Sequence, residues 1–337
     1  MIIVLRRNTS KKEEAIVLKE IRRLGYKPHV MRGVARTVIG AIGDERKQKS
    51  LEALIVLPQV ESVTPVQKRY KLVSREAHPV DSTVDVRGVV VGGRKFHVMA
   101  GPCSVESEKQ LMAAAHAVKE AGATILRGGA FKPRSSPYEF QGLGEKGLKL
   151  LAKARKETGL PIITELLSEG QADLVAEYAD ILQIGTRNAQ NFQLLIAAAK
   201  TGKPVLLKRG LAMRMEEWLL AGEYILANNN PKLMFCERGV RTFETYTRNT
   251  LDLAAIPILK QESHCPVVID PSQGAGRADL VAALCKGAVA MGADALLIEV
   301  HPNPTEAWSD AAQQLSLESF RKLMSDLRPF IAAAGRE

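Results

Sequence analysis

The sequence predicts an α/β protein in which a (β/α)₈ TIM barrel follows a small α+β ferredoxin-like domain. After Val84, short apolar runs and amphipathic stretches alternate eight times, whereas the first 68 residues carry a different order of strands and helices. The length of 337 residues suits a barrel with an accessory domain. We expect the ferredoxin-like domain at residues 1–68, a polar linker at 69–83, and the barrel with an N-terminal β-hairpin at 84–337.

The first 68 residues predict the βαββαβ order of a ferredoxin-like domain. MIIVLR is a short strand, and KKEEAIVLKEIRRLG has apolar residues at helical spacing and ends at Gly25, a favourable residue just beyond a helix. KPHVMRG and RTVIGAIG predict two strands, ERKQKSLEALIVL a second helix, and VESVTPVQ a last strand. The residues leave open whether this domain serves association and stability alone or senses a ligand.

The remainder predicts a closed parallel barrel. VDVRGVVVGGRKFHV predicts a β-hairpin that turns at Gly92-Gly93 and could plug the barrel floor. Apolar strands that alternate with helices are typical of a parallel sheet buried on both faces, and eight such units favour a barrel. The predicted strands are HVMAGPCS, ATILRGGAF, PIITEL, ILQIGTR, PVLLKR, LMFCERG, PVVIDPS and ALLIEVH. A doubly wound open sheet is the alternative, but no GxGxxG follows a first strand.

Composition argues against several classes of function. The formal net charge is +10, but aromatic residues make up only 5% and the basic residues are scattered, so we expect no nucleic-acid partner. No apolar run approaches the ~20 residues of a membrane span, and the N-terminus lacks the pattern of a signal peptide. Four cysteines without a CxxC predict no disulfide framework. We therefore expect a cytoplasmic protein with no membrane partner.

Polar residues stand where each predicted barrel strand ends. They are Cys103, Arg127, Thr164, Glu165, Arg187, Lys208, Arg209, Glu237, Arg238, Asp270, Gln273, Glu299 and His301. One such residue could be a solvated charge, but eight consecutive strands with polar ends predict one wide site, since barrel enzymes build their sites at these ends.

The cations of this set predict anionic ligands. They would repel one another in one cavity unless phosphates or carboxylates offset their charge. The cations in question are Arg127, Lys132, Arg134, Arg187, Lys208 and Arg238.

A second group predicts a metal site. Cys103, Glu299 and Asp310 offer a thiolate and two carboxylates, which suit Zn²⁺, Mn²⁺ or Fe²⁺, and a fourth ligand could come from the loop after strand seven. Cys103 could instead be an inert buried thiol. The remaining cysteines lie inside predicted strands or a helix without ligand spacing and are expected to be structural: Cys236, Cys265 and Cys285.

Several segments resemble the 3-deoxy-D-arabino-heptulosonate 7-phosphate (DAHP) synthases: AGPCSVES, LRGGAFKPRSSPYEFQGLG, IGTRNAQNF, PVLLKRG, CERGVRTFE and IEVHPNPTEAWSD. The resemblance covers nearly the whole barrel, and the first domain resembles the feedback-regulatory domain of one subgroup. It implies a transferase that condenses phosphoenolpyruvate with D-erythrose 4-phosphate and water to DAHP and phosphate, the first step of the shikimate pathway of aromatic amino acid biosynthesis. It also implies a homotetramer, a divalent metal (Mn²⁺, Fe²⁺, Zn²⁺ or Co²⁺), and tyrosine or phenylalanine as effector, with His29 a candidate contact.

The resemblance further implies roles for individual residues. Phosphoenolpyruvate would be held by Arg127, Lys132, Arg187, Lys208 and Arg238. Erythrose 4-phosphate would be held by Lys132, Pro133, Arg134, Ser135 and Asp310, with Arg134 and Ser135 on its phosphate. Lys132 is the implied proton-handling lysine, and the catalytic set is Lys132, Cys103, Glu299 and Asp310. Three of the four metal ligands of the family match Cys103, Glu299 and Asp310.

Gln273 departs from the family pattern. The family has a histidine in a DPSH loop after strand seven, whereas this loop reads DPSQGAGR. An amide oxygen is a weaker ligand than imidazole for these ions. Three interpretations stay open: a loosely held metal, an enzyme that runs without metal, as some 3-deoxy-octulosonate 8-phosphate synthases do, and a catalytically impaired ligand-binding regulatory homologue. An octulosonate 8-phosphate synthase is the alternative activity, but the KPRS segment from Lys132 favours erythrose 4-phosphate.

Overall fold

The computed structural model describes the whole chain except residues 34–35, 44–49 and 65–68. The chain divides into two compact units, Met1–Arg69 and Tyr70–Glu337. Each unit has a hydrophobic core of its own. No helix in the described part of the chain combines the length and the apolar content that crossing a membrane requires.

The first unit is a four-stranded antiparallel sheet with a helix on one face. The strands are β1 (Ile2–Leu5), β2 (Lys27–Arg32), β3 (Thr37–Ile42) and β4 (Val60–Thr64), in the order β2-β3-β1-β4. Helix α1 (Lys11–Arg23) connects β1 to β2. This strand order confirms the predicted ferredoxin-like domain.

Helix α1 has clear start and stop signals. Ser10 forms a capping box with Glu13 at its first turn. Gly25 follows the helix with a φ of 96°, in the left-handed region expected of a residue beyond a helix C-terminus. Val17 and Ile21, four residues apart, are fully buried and pack in one cluster with the inner residues of the sheet.

The second helix of this unit differs from the prediction over ERKQKSLEALIVL. Residues 45–49 of that segment lie outside the described residues, and the described part contains a 3₁₀ helix, Glu52–Val56. Leu57 is extended because it precedes Pro58, which disfavours the helical conformation at that position. The predicted last strand, VESVTPVQ, is described only as far as Thr64.

The hairpin at the start of the second unit turns at a different point than predicted. Strands β5 (Val84–Val86) and β6 (Val89–Val91) are joined at Arg87-Gly88, not at Gly92-Gly93. Arg87 and Gly88 both have positive φ, 54° and 89°, which is the signature of a type I′ turn. Gly92 is required for close packing and not for the hairpin turn, because a Cβ there would lie 2.8 Å from both the Pro266 side chain and a backbone carbonyl.

The second unit is a closed barrel of eight parallel strands. They are β7 (His97–Gly101), β8 (Ile125–Arg127), β9 (Ile162–Leu166), β10 (Ile181–Ile184), β11 (Val205–Lys208), β12 (Leu233–Glu237), β13 (Val267–Ile269) and β14 (Ala295–Glu299), and β14 pairs with β7. The barrel and all eight predicted strands are confirmed. Valines of the hairpin pack with inward-facing barrel residues such as Met99 and Ile125, so the hairpin closes the floor.

Helices surround the barrel. They are α2 (Glu108–Glu120), α3 (Glu145–Thr158), α4 (Ala172–Tyr178), α5 (Phe192–Lys200), α6 (Met215–Ala227), α7 (Ala255–Glu262), the short α8 (Pro271–Ala275), α9 (Ala278–Ala290) and α10 (Leu317–Ala333). Their apolar faces and the outward faces of the strands form the largest hydrophobic cluster of the protein's described residues. Since the strands are parallel, all their C-terminal ends meet at one mouth.

The segment at 70–83, expected as part of a polar linker, belongs to the barrel unit. The Glu223 carboxylate on α6 accepts hydrogen bonds from three consecutive backbone N–H groups, at Lys71, Leu72 and Val73, over 2.9–3.0 Å. The Val73 side chain is fully buried. The polar residues of this segment therefore reflect its anchoring on the barrel and not an extended linker.

Candidate active site

A cavity of about 260 Å³ opens at the mouth of the barrel. Eight cationic side chains line it but only three carboxylates do, so its charge balance favours anions. The cations are Arg127, Lys132, Arg134, Arg187, Lys208, Arg238, Arg241 and Arg248, and the carboxylates are Glu139, Glu165 and Asp310. The first six cations are the predicted ones. Pro133, Ser135 and Gln273, which were also predicted, line the same cavity.

Two glycines make the close packing of this mouth possible. Gly101, at the end of β7, has a φ of 153°, and a Cβ there would lie 2.1 Å from the Arg127 carbonyl oxygen. A Cβ at Gly185 would lie 1.8 Å from Oε1 of Glu165. Any larger residue would push β8 away from β7 or expel the Glu165 carboxylate from the cavity.

Arg127 lies deep in the cavity and is only partly paired. Its Nη1 donates to the Pro102 carbonyl at 2.6 Å, and its Nη2 lies 3.3 Å from Oε1 of Glu299. Its Nε is buried and has no hydrogen-bond partner among the described residues. A buried guanidinium N–H without a partner is costly, so this side chain is suited to receive an anionic ligand.

Lys132 lines the cavity and contacts Cys103. Its Nζ is 3.0 Å from Sγ and 3.2 Å from the carbonyl oxygen of Cys103. Burial lowers the pKa of Lys132, but electrostatic interactions with Cys103, Glu299 and Glu165 outweigh it and raise that pKa above its ordinary value. The side chain is therefore an ammonium with a proton available to a neighbouring oxygen.

The other cations differ in how they are held. Lys208 forms a buried ion pair with Asp270, with Nζ 2.6 Å from Oδ2. Burial lowers the pKa of Arg238, whose Nη2 donates to Oε1 of Gln273 at 3.1 Å. Arg187 lines the cavity and makes no ion pair within the described ranges of the chain. The cavity thus offers donors that the protein itself does not use.

Cys103, Glu299 and Asp310 converge at one side of this cavity. One ligand atom from each lies within 4.8 Å of the others. Burial and the charge of Glu299 raise the pKa of the Cys103 thiol to about 12. Burial also acts to raise the pKa of Asp310, but Lys132 and Arg248 lower it well below its usual range. A thiol and two carboxylates so arranged fit three ligands of a divalent metal.

Gln273 reaches this cluster with its amide nitrogen. Nε2 donates to Oε1 of Glu299 and to Oδ2 of Asp310, each at 3.1 Å, while Oε1 accepts from Arg238. This amide orientation follows from the network, since the opposite one would set its oxygen against two carboxylates. As arranged, Gln273 does not fit the expected fourth metal ligand.

Some predicted strand-end residues lie outside the cavity lining. The Thr164 hydroxyl accepts a hydrogen bond from the backbone N–H of Ala130, in the loop that follows β8. Arg209 forms ion pairs with Glu237 at 3.0 Å and with Asp252 at 2.8 Å. His301 lies 3.2 Å from Glu106, with its other ring nitrogen 2.8 Å from a backbone carbonyl. These side chains brace the mouth and do not enter it.

The residues of the site that were not predicted include Arg241, Arg248 and Gln313. Arg248 Nη1 donates to Oδ1 of Asp310 at 2.8 Å, and Gln313 Nε2 donates to Oε2 of Glu299 at 2.7 Å. Arg241 and Arg248 belong to the long loop at 238–254, between β12 and α7. The unusual length of that polar loop is the signal that could have identified them, because long loops of a barrel carry function.

In the first unit, His29 lies on β2 opposite Gly40 of β3, with its side chain exposed. Strand β2 is an edge strand of the four-stranded sheet. An exposed histidine on an edge strand is accessible to a ligand, but the fold of the unit by itself identifies no effector.

Comparisons with known proteins cover the whole chain. Residues 73–332 match the DAHP synthetase I family, and residues 1–68 match the DAHP synthase ferredoxin-like domain. A phospho-2-dehydro-3-deoxyheptonate aldolase from Thermotoga maritima is 49% identical over 340 residues, covering 99% of each chain. The crystal structure of the DAHP synthase from that organism matches with a TM-score of 0.95 at 48% identity, covering 100% of this chain and 98% of the other.

Two further matches bear on the barrel. A truncated form of the Thermotoga maritima synthase covers 80% of this chain, and 98% of the truncated chain is matched, at 49% identity and a TM-score of 0.75. A 2-dehydro-3-deoxyphosphooctonate aldolase from Syntrophotalea carbinolica is 32% identical over 264 residues, covering 73% of this chain and 94% of that protein. The similarity to heptulosonate enzymes is thus higher and extends over the first unit.

Proposed function

Because this chain belongs to the DAHP synthase family, we propose that it condenses phosphoenolpyruvate with D-erythrose 4-phosphate and water, giving DAHP and phosphate. This is the phospho-2-dehydro-3-deoxyheptonate aldolase reaction of the shikimate pathway, which leads to the aromatic amino acids. The observation that carries the proposal is the cavity at the barrel mouth, where eight cations meet three carboxylates. Two phosphorylated substrates bring the anionic charge that such a cavity needs.

Phosphoenolpyruvate is proposed to bind five cations of the cavity, of which Arg187 is exposed and the other four are buried. The burial of those four and the donors that the protein leaves unused support this, above all the Nε of Arg127. A carboxylate and a phosphate can together engage three guanidinium groups and two ammonium groups. The cations also offset the repulsion between the two anionic substrates, so that both can be held close together. The residues of this proposed subsite are Arg127, Lys132, Arg187, Lys208 and Arg238.

Erythrose 4-phosphate is proposed to bind nearer the opening, along the KPRS segment. Lys132, Pro133, Arg134 and Ser135 all line the cavity, and the Arg134 guanidinium lies 2.8 Å from Glu139. Arg134 and Ser135 would take the sugar phosphate. Asp310, which also lines the cavity, would contact the sugar as well.

In the proposed reaction, C3 of phosphoenolpyruvate forms a bond to the aldehyde carbon, water adds at C2, and phosphate leaves with cleavage of the C–O bond. Lys132 is proposed to donate a proton to the aldehyde oxygen, since it lines the cavity and its Nζ lies 3.0 Å from the Cys103 sulfur. Cys103, Glu299 and Asp310 would hold a divalent ion (Mn²⁺, Fe²⁺, Zn²⁺ or Co²⁺), which polarises a carbonyl oxygen when bound.

The test is a coupled assay of phosphate release with each candidate sugar phosphate. We expect turnover with erythrose 4-phosphate and none with arabinose 5-phosphate, because KPRS stands where octulosonate enzymes carry a longer segment. Preference for arabinose 5-phosphate would instead identify an octulosonate 8-phosphate synthase. Binding of phosphoenolpyruvate without turnover, with Mn²⁺ present, would favour a non-catalytic regulatory homologue.

We further propose that the first unit makes the enzyme feedback-regulated by tyrosine or phenylalanine. The match of residues 1–68 to the ferredoxin-like domain of DAHP synthases supports this role. Deletion of residues 1–69 is expected to keep turnover but abolish inhibition by either amino acid, and His29→Ala is expected to weaken that inhibition. Inhibition that survives the deletion would contradict the assignment.

The family resemblance also supports a cytoplasmic homotetramer. Four buried free cysteines suit a reducing compartment. Light scattering of the purified full-length protein would measure the oligomeric state, with four chains per particle expected.

A further inference from the structure

The Glu299 carboxylate is satisfied entirely by donors of the protein. Oε1 accepts from Nε2 of Gln273 at 3.1 Å and faces Nη2 of Arg127 at 3.3 Å. Oε2 accepts from Nε2 of Gln313 at 2.7 Å. Both oxygens of a side chain that is 1% exposed are therefore engaged, and the desolvation of its charge is offset by a cation and two amides.

The Asp310 carboxylate is satisfied in the same way. Oδ1 accepts from Nη1 of Arg248 at 2.8 Å, and Oδ2 accepts from the Cys103 thiol at 3.2 Å and from Nε2 of Gln273 at 3.1 Å. Gln273 is the residue that joins the two carboxylates, since the same amide nitrogen donates one hydrogen to each. Its two N–H groups thus lie between the groups that a metal would bring together.

We propose that Gln273 acts in this chain as a hydrogen-bond donor that clamps Glu299 and Asp310, and not as a metal ligand. A divalent metal would then be held by Cys103, Glu299 and Asp310 without Gln273. Its binding would compete with the hydrogen bonds that the Gln273 amide donates to the two carboxylates. The clamp organises the cluster without an ion, and it weakens metal binding.

Arg238 fixes the amide in its donor orientation. Its buried guanidinium donates to Oε1 of Gln273 at 3.1 Å. Rotating the amide so that its oxygen faces a metal would turn the N–H groups toward the N–H groups of Arg238. That arrangement exchanges one charge-assisted hydrogen bond for a contact between donors.

The backbone of Gln273 is held as firmly as its side chain. Its N–H donates to Oδ1 of Asp270 at 2.9 Å, and its carbonyl accepts from Nδ2 of Asn249 at 2.9 Å. The residue lies in the first turn of the short helix α8, which begins at Pro271 and is followed by Gly276 in the left-handed region with a φ of 68°. The side chain therefore cannot reach a different orientation by a backbone shift without breaking these bonds.

The test compares Co²⁺ binding to the metal-free full-length protein and two variants, read from the thiolate-to-cobalt absorption that Cys103 would give. Gln273→Leu removes the donor and the amide oxygen together, and Gln273→His supplies an imidazole. If Gln273 clamps, Gln273→Leu binds Co²⁺ more tightly than the natural chain, and unchanged affinity would contradict the weakening of metal binding by the clamp. Gln273→His binds it at least tenfold more tightly. If the amide oxygen is a ligand, Gln273→Leu loses tenfold or more in affinity, which overturns the proposal.

A second variant and a thermal measurement keep the proposal testable if Gln273→Leu folds poorly. Gln273→Met, with a side chain of similar length, gives the same comparison. With chelator present, loss of the clamp should lower the thermal midpoint of either apolar variant, and Co²⁺ should raise that midpoint more than in the natural chain. Gln193→Leu, an exposed glutamine on α5, is the control and should change neither quantity. Equal midpoints for the natural chain and an apolar variant in chelator would contradict the clamp.

These measurements contain no substrate. A chain that binds Co²⁺ as expected but fails to condense the two substrates would overturn the proposed function and leave the clamp intact.

Discussion

The mouth and the floor of the barrel both bury charged side chains, but they leave them in different states. At the floor, the Asp294 carboxylate is fully buried and is met by Lys260 at 2.5 Å, Arg336 at 2.6 Å and the backbone N–H of Val267 at 2.7 Å. At the mouth, Arg127 keeps a buried Nε with no described partner. A charge whose partners are all within the protein stabilises the fold, whereas a buried cation with unused donors is available to a ligand.

This difference assigns separate tasks to the two ends of each strand. In barrel enzymes, the C-terminal ends carry the chemistry and the N-terminal ends carry stability. If that division holds here, substitutions at the mouth should change turnover with little effect on the free energy of unfolding. Substitutions at the floor should do the reverse.

The largest effect is expected at Lys132. Lys132→Met removes the ammonium that contacts Cys103 and faces the cavity, and it should lower kcat by about a thousandfold, within the range of a general acid. Steady-state assays measure this, with Lys149→Met as a control because that lysine is exposed on α3. A variant that keeps a tenth or more of the natural kcat would remove Lys132 from the proposed mechanism.

At the floor, Asp294→Asn should lower the free energy of unfolding by about 3 kcal/mol, because it leaves two half-buried cations without their counter-charge. Denaturant titration measures the loss, and kcat/KM should stay unchanged at a temperature where the variant is folded. Asp279→Asn is the matched control, since its ion pair with Arg277 is exposed and should contribute less than about 1 kcal/mol. A loss of turnover without a loss of stability would break the division between mouth and floor.

A smaller effect is expected at the outer edge of the mouth. Arg134→Ala should raise KM for erythrose 4-phosphate about tenfold and leave KM for phosphoenolpyruvate unchanged. Its guanidinium is partly exposed and already paired with Glu139, which reduces what a phosphate gains there. Initial rates with each substrate varied in turn measure both constants, and Glu139→Gln is expected to leave KM unchanged or lower it. A rise in KM for phosphoenolpyruvate instead would show that the two subsites are assigned the wrong way round.

The sequence predicted the mouth better than the floor, and topology explains why. In a parallel barrel, every strand delivers its last residues to the same place, so Arg127, Lys208 and Arg238 could be grouped without coordinates. Arg248 could not, because its contact with Asp310 depends on the path of a long loop that no periodicity describes. The turn at Arg87-Gly88 was missed since Gly92-Gly93 has the stronger turn composition, and contacts with Pro266 decided its use.

Gln273 marks another limit of sequence reasoning. The sequence identified the residue and its loop, and it predicted a weak metal ligand there. The direction of its amide was not, because it depends on Arg238, which comes from another strand end. A residue type fixes which bonds are available, whereas neighbours from distant parts of the chain decide which of them form.

The smallest effect is expected at His97, on the floor. Its Nε2 lies 2.9 Å from the carbonyl oxygen of Val90, on β6, and its Nδ1 lies 3.2 Å from Oγ1 of Thr124. Burial lowers the pKa of His97, with a smaller contribution from Lys95, while the bond to Val90 opposes the shift. Because the folded chain binds this proton less readily than the unfolded chain, stability is full above about pH 6.5 and declines as the pH falls below it, toward the folded pKa.

His97→Gln keeps an N–H for the Val90 carbonyl but does not titrate, so it should reduce the loss of stability between pH 7.5 and pH 5.5. Denaturant titrations of both chains at the two pH values measure the difference, which should be a fraction of that at Asp294 because a single histidine contributes. Activity at pH 7.5 should be unchanged, since the side chain lies on the floor and away from the cavity lining. Identical pH dependence in the two chains would show that water reaches His97. The floor would then be more hydrated than the burial of the hairpin valines indicates.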